Sequence, residues 1–231
     1  MNQLLLRLHA PFAAFRWLQS GVYRASSPVI PPSAAWGLLL NFAGIDTRGK
    51  DVGGVTTVRP DAPAFEVAIG AFGACDTSTL YQQLHTYPVG SSGANLKERT
   101  HGAKYWIAPA RREILVGFEC VLGARGDGDV LDRIVAGLAG RLDEQRYGLP
   151  HAGDNNLLFD RADVVDSVSG CHWYTRIGPD DPPRRGSCRL TIGIDRSDSS
   201  RTTTALFAPV SEPSPTPPEA AWTWVPRGPA E

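Results

Sequence analysis

The 231-residue sequence predicts an α+β fold of the ferredoxin-like, RRM-like βαββαβ type, with an inserted β-hairpin and a short C-terminal β extension. Three observations predict it. Strict apolar alternation over residues 113–122 marks a strand, because successive strand side chains point to opposite faces. Helical spacing of Leu131, Ile134, Val135, Leu138 and Leu142 marks a helix directly after it. A polar, Gly- and Ser-containing excursion from Asp76 to Arg112 separates that strand from an earlier one.

Taken in order, residues 4–10 read as the first strand, since Leu4, Leu6 and Leu8 alternate with Leu5, Arg7 and His9. The same start has no acid before Asp46, which is also the character of an organelle transit peptide; the short, early-interrupted apolar run favours the strand. Pro31-Pro32-Ser33 then opens a helix, with Ser33 as N-cap, Ala34 to Ala43 as the apolar face and Gly44 as the left-handed stop. Ala64 to Phe72 reads as a second strand with Phe65, Val67 and Ile69 on one face. Strand-like pieces bearing Tyr, His and Trp flank Gly90-Ser91-Ser92-Gly93, so the excursion reads as a hairpin. Beyond residue 122, Gly123 to Gly128 predicts a turn, and Asp129 the cap of a helix that persists toward Tyr147-Gly148. Strands are expected at 172–177 and 188–194. From Pro209 the composition turns to Pro, Ser, Thr and Glu. The expected division is an RRM-like domain over 1–195, with its insertion at about 76–112, and a weakly ordered Pro/Ser-rich tail over 196–231.

With 42% hydrophobic and 20% charged residues the chain can bury a core, which excludes wholesale disorder. Its longest apolar runs are broken by Arg7 and Asn41, far short of the roughly 20 residues of a bilayer span. Cys75, Cys120, Cys171 and Cys188 stand far apart without a Cys-x-x-Cys pair, so no metal site, cofactor or disulfide framework is expected, and a reducing cytoplasm is the expected location. The net charge of −1 hides an asymmetry. Residues 1–60 hold six basic residues (Arg7, Arg16, Arg24, Arg48, Lys50, Arg59) against Asp46 and Asp51. Residues 97–112 hold five (Lys97, Arg99, Lys104, Arg111, Arg112) against Glu98, whereas residues 127–181 hold eleven acids against five arginines. Two readings of this separation stand: a polyanion on one side of the fold and a protein neighbour on the other, or solvated surface charge.

Gly123, Gly126 and Gly128 precede a helix, but no Gly-x-Gly-x-x-Gly or Gly-Lys-Ser/Thr occurs, and Asp127 and Asp129 would repel a phosphate. Neither Gly-x-Ser-x-Gly nor His-Glu-x-x-His occurs, so no catalytic residue is assigned. Residues 146–156 combine turn formers with polar groups; a helix exit into an ordered loop and a binding site are both compatible with them. The insertion interleaves cations with rings: Gln82, His85, Tyr87, Lys97, Arg99, His101, Lys104, Tyr105, Trp106, Arg111 and Arg112. Single-stranded nucleic acid suits such a mixture, because cations meet phosphates while ring faces stack on splayed bases. A solvated hairpin with aromatics folded under it is the alternative.

Several segments, in order, resemble a known family. Leu-Arg-Leu-His-Ala-Pro-Phe-Ala-Ala-Phe-Arg (6–16) and Pro-Pro-Ser-Ala-Ala-Trp-Gly-Leu-Leu (31–39) resemble the start of the CRISPR-associated Cas-five proteins. His-Thr-Tyr-Pro-Val-Gly (85–90), Arg-Arg-Glu-Ile-Leu-Val-Gly (111–117) and Arg-Tyr-Gly-Leu-Pro-His-Ala-Gly-Asp-Asn-Asn (146–156) are similar to its DevS-like branch. The resemblance covers roughly residues 1–195. It implies a RAMP-type subunit of a type I Cascade effector complex in antiviral defence, binding the 5′ handle of the guide RNA (crRNA). It further implies neighbours of the Cas-seven backbone and large Cas-eight types, contact with target DNA only through the complex, and use of the insertion as a thumb over the guide. One branch of the family cleaves precursor RNA without metal, using His, Lys and Tyr; His85, His101, Lys104 and Tyr105 are the residues of those types here. A guide-binding structural subunit is the expectation, with a metal-independent endoribonuclease and a protein-only assembly module as alternatives. The expected RNA-binding residues are Arg16 and Arg24, beside the loop after the first strand, and Lys97, Arg99, His101, Lys104, Tyr105, Arg111 and Arg112.

Overall fold

The computed structural model describes residues 2–17, 23–52, 55–88, 105–196, 198 and 201–227. Its spine is one strand. β7 (Tyr105–Gly126) is paired along both edges by β1 (Asn2–Ala13), β2 (Tyr23–Arg24), β5 (Phe65–Ala71) and β6 (Asp76–Pro88). β8 (Arg161–Val165) adds outside β1, and β9 (His172–Arg176), β11 (Thr203–Pro209) and β10 (Cys188–Gly193) extend the sheet beyond β5. β12 (Thr223–Val225) also pairs with β5, and β3 (Arg48–Val52) and β4 (Val55–Val58) form a separate small hairpin. The result is an α+β fold with a large antiparallel sheet, in which only β2 pairs in parallel, and two α-helices among the described residues.

Helix α1 (Pro32–Phe42) joins β1 to β5, and α2 (Gly128–Leu138) joins β7 to β8. Pro31, and not Ser33, is the N-cap of α1 and makes no side-chain cap bond; Pro32 sits inside the first turn, where a missing N–H is harmless. Its end follows the sequence: Gly44 at φ +69° gives its N–H to Asn41, and Ile45 gives its own to Leu40, the paired bonds of a Schellman stop. Asp127, not Asp129, caps α2 by accepting the Asp129 N–H. The same stop at Gly140, with Arg141 N–H on Ala136, ends α2 at Leu138 and leaves the expected extension to Tyr147 outside the helix.

Both helices cover one face of the sheet, on which Leu4, Leu6, Leu8, Phe65, Val67, Ile69, Phe118, Cys120 and Leu122 pack with Leu39, Phe42, Leu131 and Ile134. The buried set runs Leu4, Leu6, Leu8, Ala10 and then Ala13 in β1, and Ala124, Leu122, Cys120, Phe118 and then Leu115 in β7. Both strands therefore change phase by one residue at Pro11 and Gly117, which oppose each other in the register. Gly117 allows it with φ +61°. This is the departure from the strict alternation read over 113–122, which would have placed Val116 rather than Leu115 in the core.

The opposite face holds a second cluster of Leu5, Ala68, Val121, Val168, Cys171, Trp173 and Ala221, with Trp222 against it. A Cβ at Gly123 would lie 2.8 Å from the Trp222 ring, and one at Gly126 2.9 Å from Phe65. Those glycines therefore continue β7 instead of forming the expected turn, because close packing rather than a reversal requires them.

The weakly ordered tail expected over 196–231 is corrected by β11 and β12, which are hydrogen-bonded into the sheet, with Phe207, Ala208 and Val225 buried. Arg125 holds this segment: it forms two hydrogen bonds to each of Glu66 and Glu219, and its guanidinium lies 4.6 Å from the Trp222 ring centroid. Proline-rich composition obscured strands whose partners are remote in sequence. The domain boundary expected at residue 195 likewise falls between two paired strands, β10 and β11.

Where the helices cross, a Cβ on Gly137 would overlap the Phe42 carbonyl oxygen, whereas one on Gly37 would meet nothing within 4 Å. Gly137→Ala is therefore expected to destabilise the protein by about 2 kcal/mol despite better helix propensity, since the backbone must move. Gly37→Ala should stabilise it by up to about 1 kcal/mol; urea unfolding of the pair checks both signs. A second expectation concerns acid. The Arg125 hydrogen bond depresses the Glu219 carboxyl below its ordinary range, so its contribution is present above an unfolded value of roughly 4.3 and is lost as pH falls through the lower folded value. Glu219→Gln should lack this acid-dependent loosening of the C-terminal segment, followed by limited proteolysis with pepsin.

Candidate nucleic-acid interface

Four of the arginines expected to bind RNA converge beside the lower half of β7. The segment after β1 carries Arg16, joined to Ser26 by an isolated antiparallel bridge. β2 lies parallel to β7 with Tyr23 opposite Arg111 and Arg24 opposite Arg112. Glu113 fixes this arrangement. Its carboxylate accepts from the Ser26 N–H at 3.0 Å and the Tyr23 hydroxyl at 2.8 Å, and its carbonyl accepts from the Ser26 hydroxyl at 2.6 Å. The bond to Glu113 also raises the Tyr23 hydroxyl above its ordinary pKa, so Tyr23 stays a neutral donor.

The arginines are not equivalent. Arg16 is exposed and has no partner among the described residues. Arg111 is exposed, donates to the Tyr81 hydroxyl at 2.7 Å and lies 5.2 Å from that ring's centroid, pairing a cation with a ring that is 70% exposed. Arg24 has its Nε buried without a partner among the described residues. Arg112 is mostly enclosed: it donates to the Ala14 carbonyl at 3.2 Å and pairs with Asp154 at 3.2 Å, the two side chains being 11% and 16% exposed. Arg112 thus anchors the fold, whereas Arg16 and Arg111 are presented outward.

Asp154 belongs to the 146–156 loop, which the structure brings to this place. Its other oxygen closes a turn by accepting from the Asn156 N–H and side-chain amide. Ala14 donates to the Ala152 carbonyl at 2.9 Å, and Gly153 at φ +85° lies against Ala14 so closely that a Cβ would overlap the carbonyl of that residue. Farther along, Asn41 reaches the carbonyls of Tyr147 and Gly148, and Arg48 stacks 3.2 Å from the Tyr147 ring centroid. Turn chemistry was legible in this loop, but its docking through Asp154 onto Arg112 was not, because nothing local links residues 42 positions apart. Tyr81 and Glu113 were missed for the same reason: only the β6–β7 register, with Tyr81 opposite Arg111, shows their place.

The β6–β7 ladder is paired from Asp76 and Val116 to Pro88 and Tyr105. Lys97, Arg99, His101 and Lys104 lie outside the described residues, and of Tyr105 only its position at the start of β7 is described. The division expected at Arg112 is absent from the backbone, since β7 runs through it without a break.

Against this geometry stands a family match. The profile of the family described as CRISPR-associated protein (Cas_Cas5) matches residues 3–139, more than half of the chain. The chain belongs to this family. No curated protein sequence matches it. Among solved structures, a chain of a CRISPR RNA-guided surveillance complex superposes with a TM-score of 0.58 at 15% identity, covering 95% of this chain and 92% of that one, so the fold is shared. A second, solved as a Cas protein, gives 0.48 at 13% identity, with coverages of 90% and 94%. The family match spans β1, α1, β5, β6, β7 and α2, and so includes all four arginines of the interface. Among the described residues no helix is long and apolar enough to cross a membrane.

The structural difference among the arginines is measurable. Arg112→Ala leaves Asp154 mostly enclosed without its cation and is expected to cost about 3 kcal/mol in urea unfolding. Arg16→Ala and Arg111→Ala should stay within about 0.5 kcal/mol of wild type.

Proposed function

We propose that the protein is the guide-RNA 5′-handle-binding and capping subunit of a type I Cascade-type surveillance complex. The observation that carries this reading is the pairing of β2 onto β7, which sets the outward-facing Arg111 beside the exposed rings of Tyr23 and Tyr81, with Arg16 exposed on the segment bridged to Ser26. Cations with neighbouring ring faces suit a single strand, whose phosphates are bound by charge and whose bases stack. Family membership supports the same reading. So does the β5–β7–β1–β8 strand order, with α1 and α2 as its two crossovers on one face, which fits the ferredoxin-like βαββαβ arrangement. In this reading the β6–β7 arm is the thumb over the guide, Lys97, Arg99, His101, Lys104 and Tyr105 are further RNA-binding residues, and the Cas-seven-type backbone and large Cas-eight-type subunits are neighbours.

The purified protein should retain a repeat-derived RNA with strong salt dependence and without cutting it. Removing Arg16 or Arg111 should lower the slope of log affinity against log salt by about 0.7 each, the value for one phosphate of a single strand. Unchanged affinity and slope in both variants would remove this interface; specific cleavage in chelator, lost in His85→Ala or His101→Ala, would replace binding by the endoribonuclease.

A further inference from the structure

A cavity of about 1040 Å³ opens at the end of the sheet where β5 hands over to β6 and is lined by residues of β9, β10 and the segments on either side of β2. Two of those segments also build the cationic interface: Trp17 follows Arg16, and Pro28 follows the Ser26 that Glu113 holds. Trp17 is fixed by its indole N–H on the Arg189 carbonyl at 3.0 Å, so a ring stands at the cavity wall in one orientation.

Tyr174 is 9% exposed, lines the cavity, and has a hydroxyl with no hydrogen-bond partner among the described residues. Burial pushes that hydroxyl up to about 12, which keeps it a donor. His172 places Nδ1 3.0 Å from the Val210 carbonyl, so Nδ1 carries the proton and Nε2 is left as an acceptor. At the rim, Arg184 is tied to Thr175 and Asp181, while Arg185 is exposed and has no partner among the described residues. An aromatic wall, an unused donor, an unused acceptor and a free cation at the mouth together match the flat, polar-edged shape of a base with its phosphate.

We infer that this cavity seats one unstacked nucleobase of the bound strand, stacked on Trp17 and read at its edge by Tyr174 and His172, with the adjoining phosphate on Arg185. The inference rests on the guide-RNA reading above, because continuity with Arg16 selects a nucleic acid over a protein side chain as occupant.

The test titrates the full-length protein with a repeat-derived RNA carrying 2-aminopurine at one position at a time. One position is expected to change its emission on binding in wild type and not in Trp17→Ala. That variant should bind about ten-fold more weakly with an unaltered salt slope, while Arg185→Ala lowers the slope by about 0.7. Tyr174→Phe, which keeps the ring and its packing, should weaken binding a few-fold and alter which base is preferred at that position. Wild-type affinity in Trp17→Ala and Tyr174→Phe, or no position whose emission depends on Trp17, overturns the base pocket and leaves handle binding standing. A wild-type protein that retains no repeat RNA overturns both.

Discussion

The centre of the large sheet is indexed to the pairing of β7. Along one edge it meets β6 and then β5, and along the other β2 and then β1, so its register sets where each neighbouring element ends and what it faces. The constraint is geometric: strand side chains alternate, and a slip of one residue would turn the core outward. The chain controls that risk where the phase does change. Pro11 and Gly117 change it together, so β1 and β7 keep one register while their buried faces step over by a residue.

The second face of the sheet depends on small residues. Ala68, Gly70 and Gly123 leave room for Trp173 and Trp222, and the segment carrying Trp222 is held by Arg125 between Glu66 and Glu219. Trp173 adds a direct tie, its indole N–H reaching the Ser214 carbonyl. Packing of Trp222 against the cluster that holds buried Trp173 helps keep so proline-rich a segment in place, where β12 adds only a short ladder to β5. The ion pairs orient it; Glu219 is largely in water and contributes direction more than energy.

The candidate interface divides labour within one cluster of like charges. Asp154, from the 146–156 loop, neutralises Arg112, while Glu113, on β7 itself, holds Tyr23 and Ser26 in place. Arg112 is neutralised and enclosed, which leaves the outward field to Arg16 and Arg111. A partner strand approaching this area meets Arg111 already positioned on β7, so little ordering of that cation is required on binding.

The sequence by itself determined the elements whose signals are local. The 2-residue period of β1, the helical spacing of α2, the helix stop at Gly44 and the interleaving of cations with rings are all properties of neighbouring residues, and the ordered motifs pointed to the family. Local signals failed wherever a residue serves a remote partner. Gly123 and Gly126 read as a turn because glycine is a turn former, yet their missing side chains make room for Trp222 and Phe65. The C-terminal segment read as a tail because proline is rare in strands, yet β12 pairs with β5 across more than 150 residues. Asp154 read as a turn residue, and it is one, but its free oxygen neutralises Arg112. Only the tertiary structure could decide these roles, since packing and ion pairing are set by distance in space, and the chain distance between such partners carries no periodic trace.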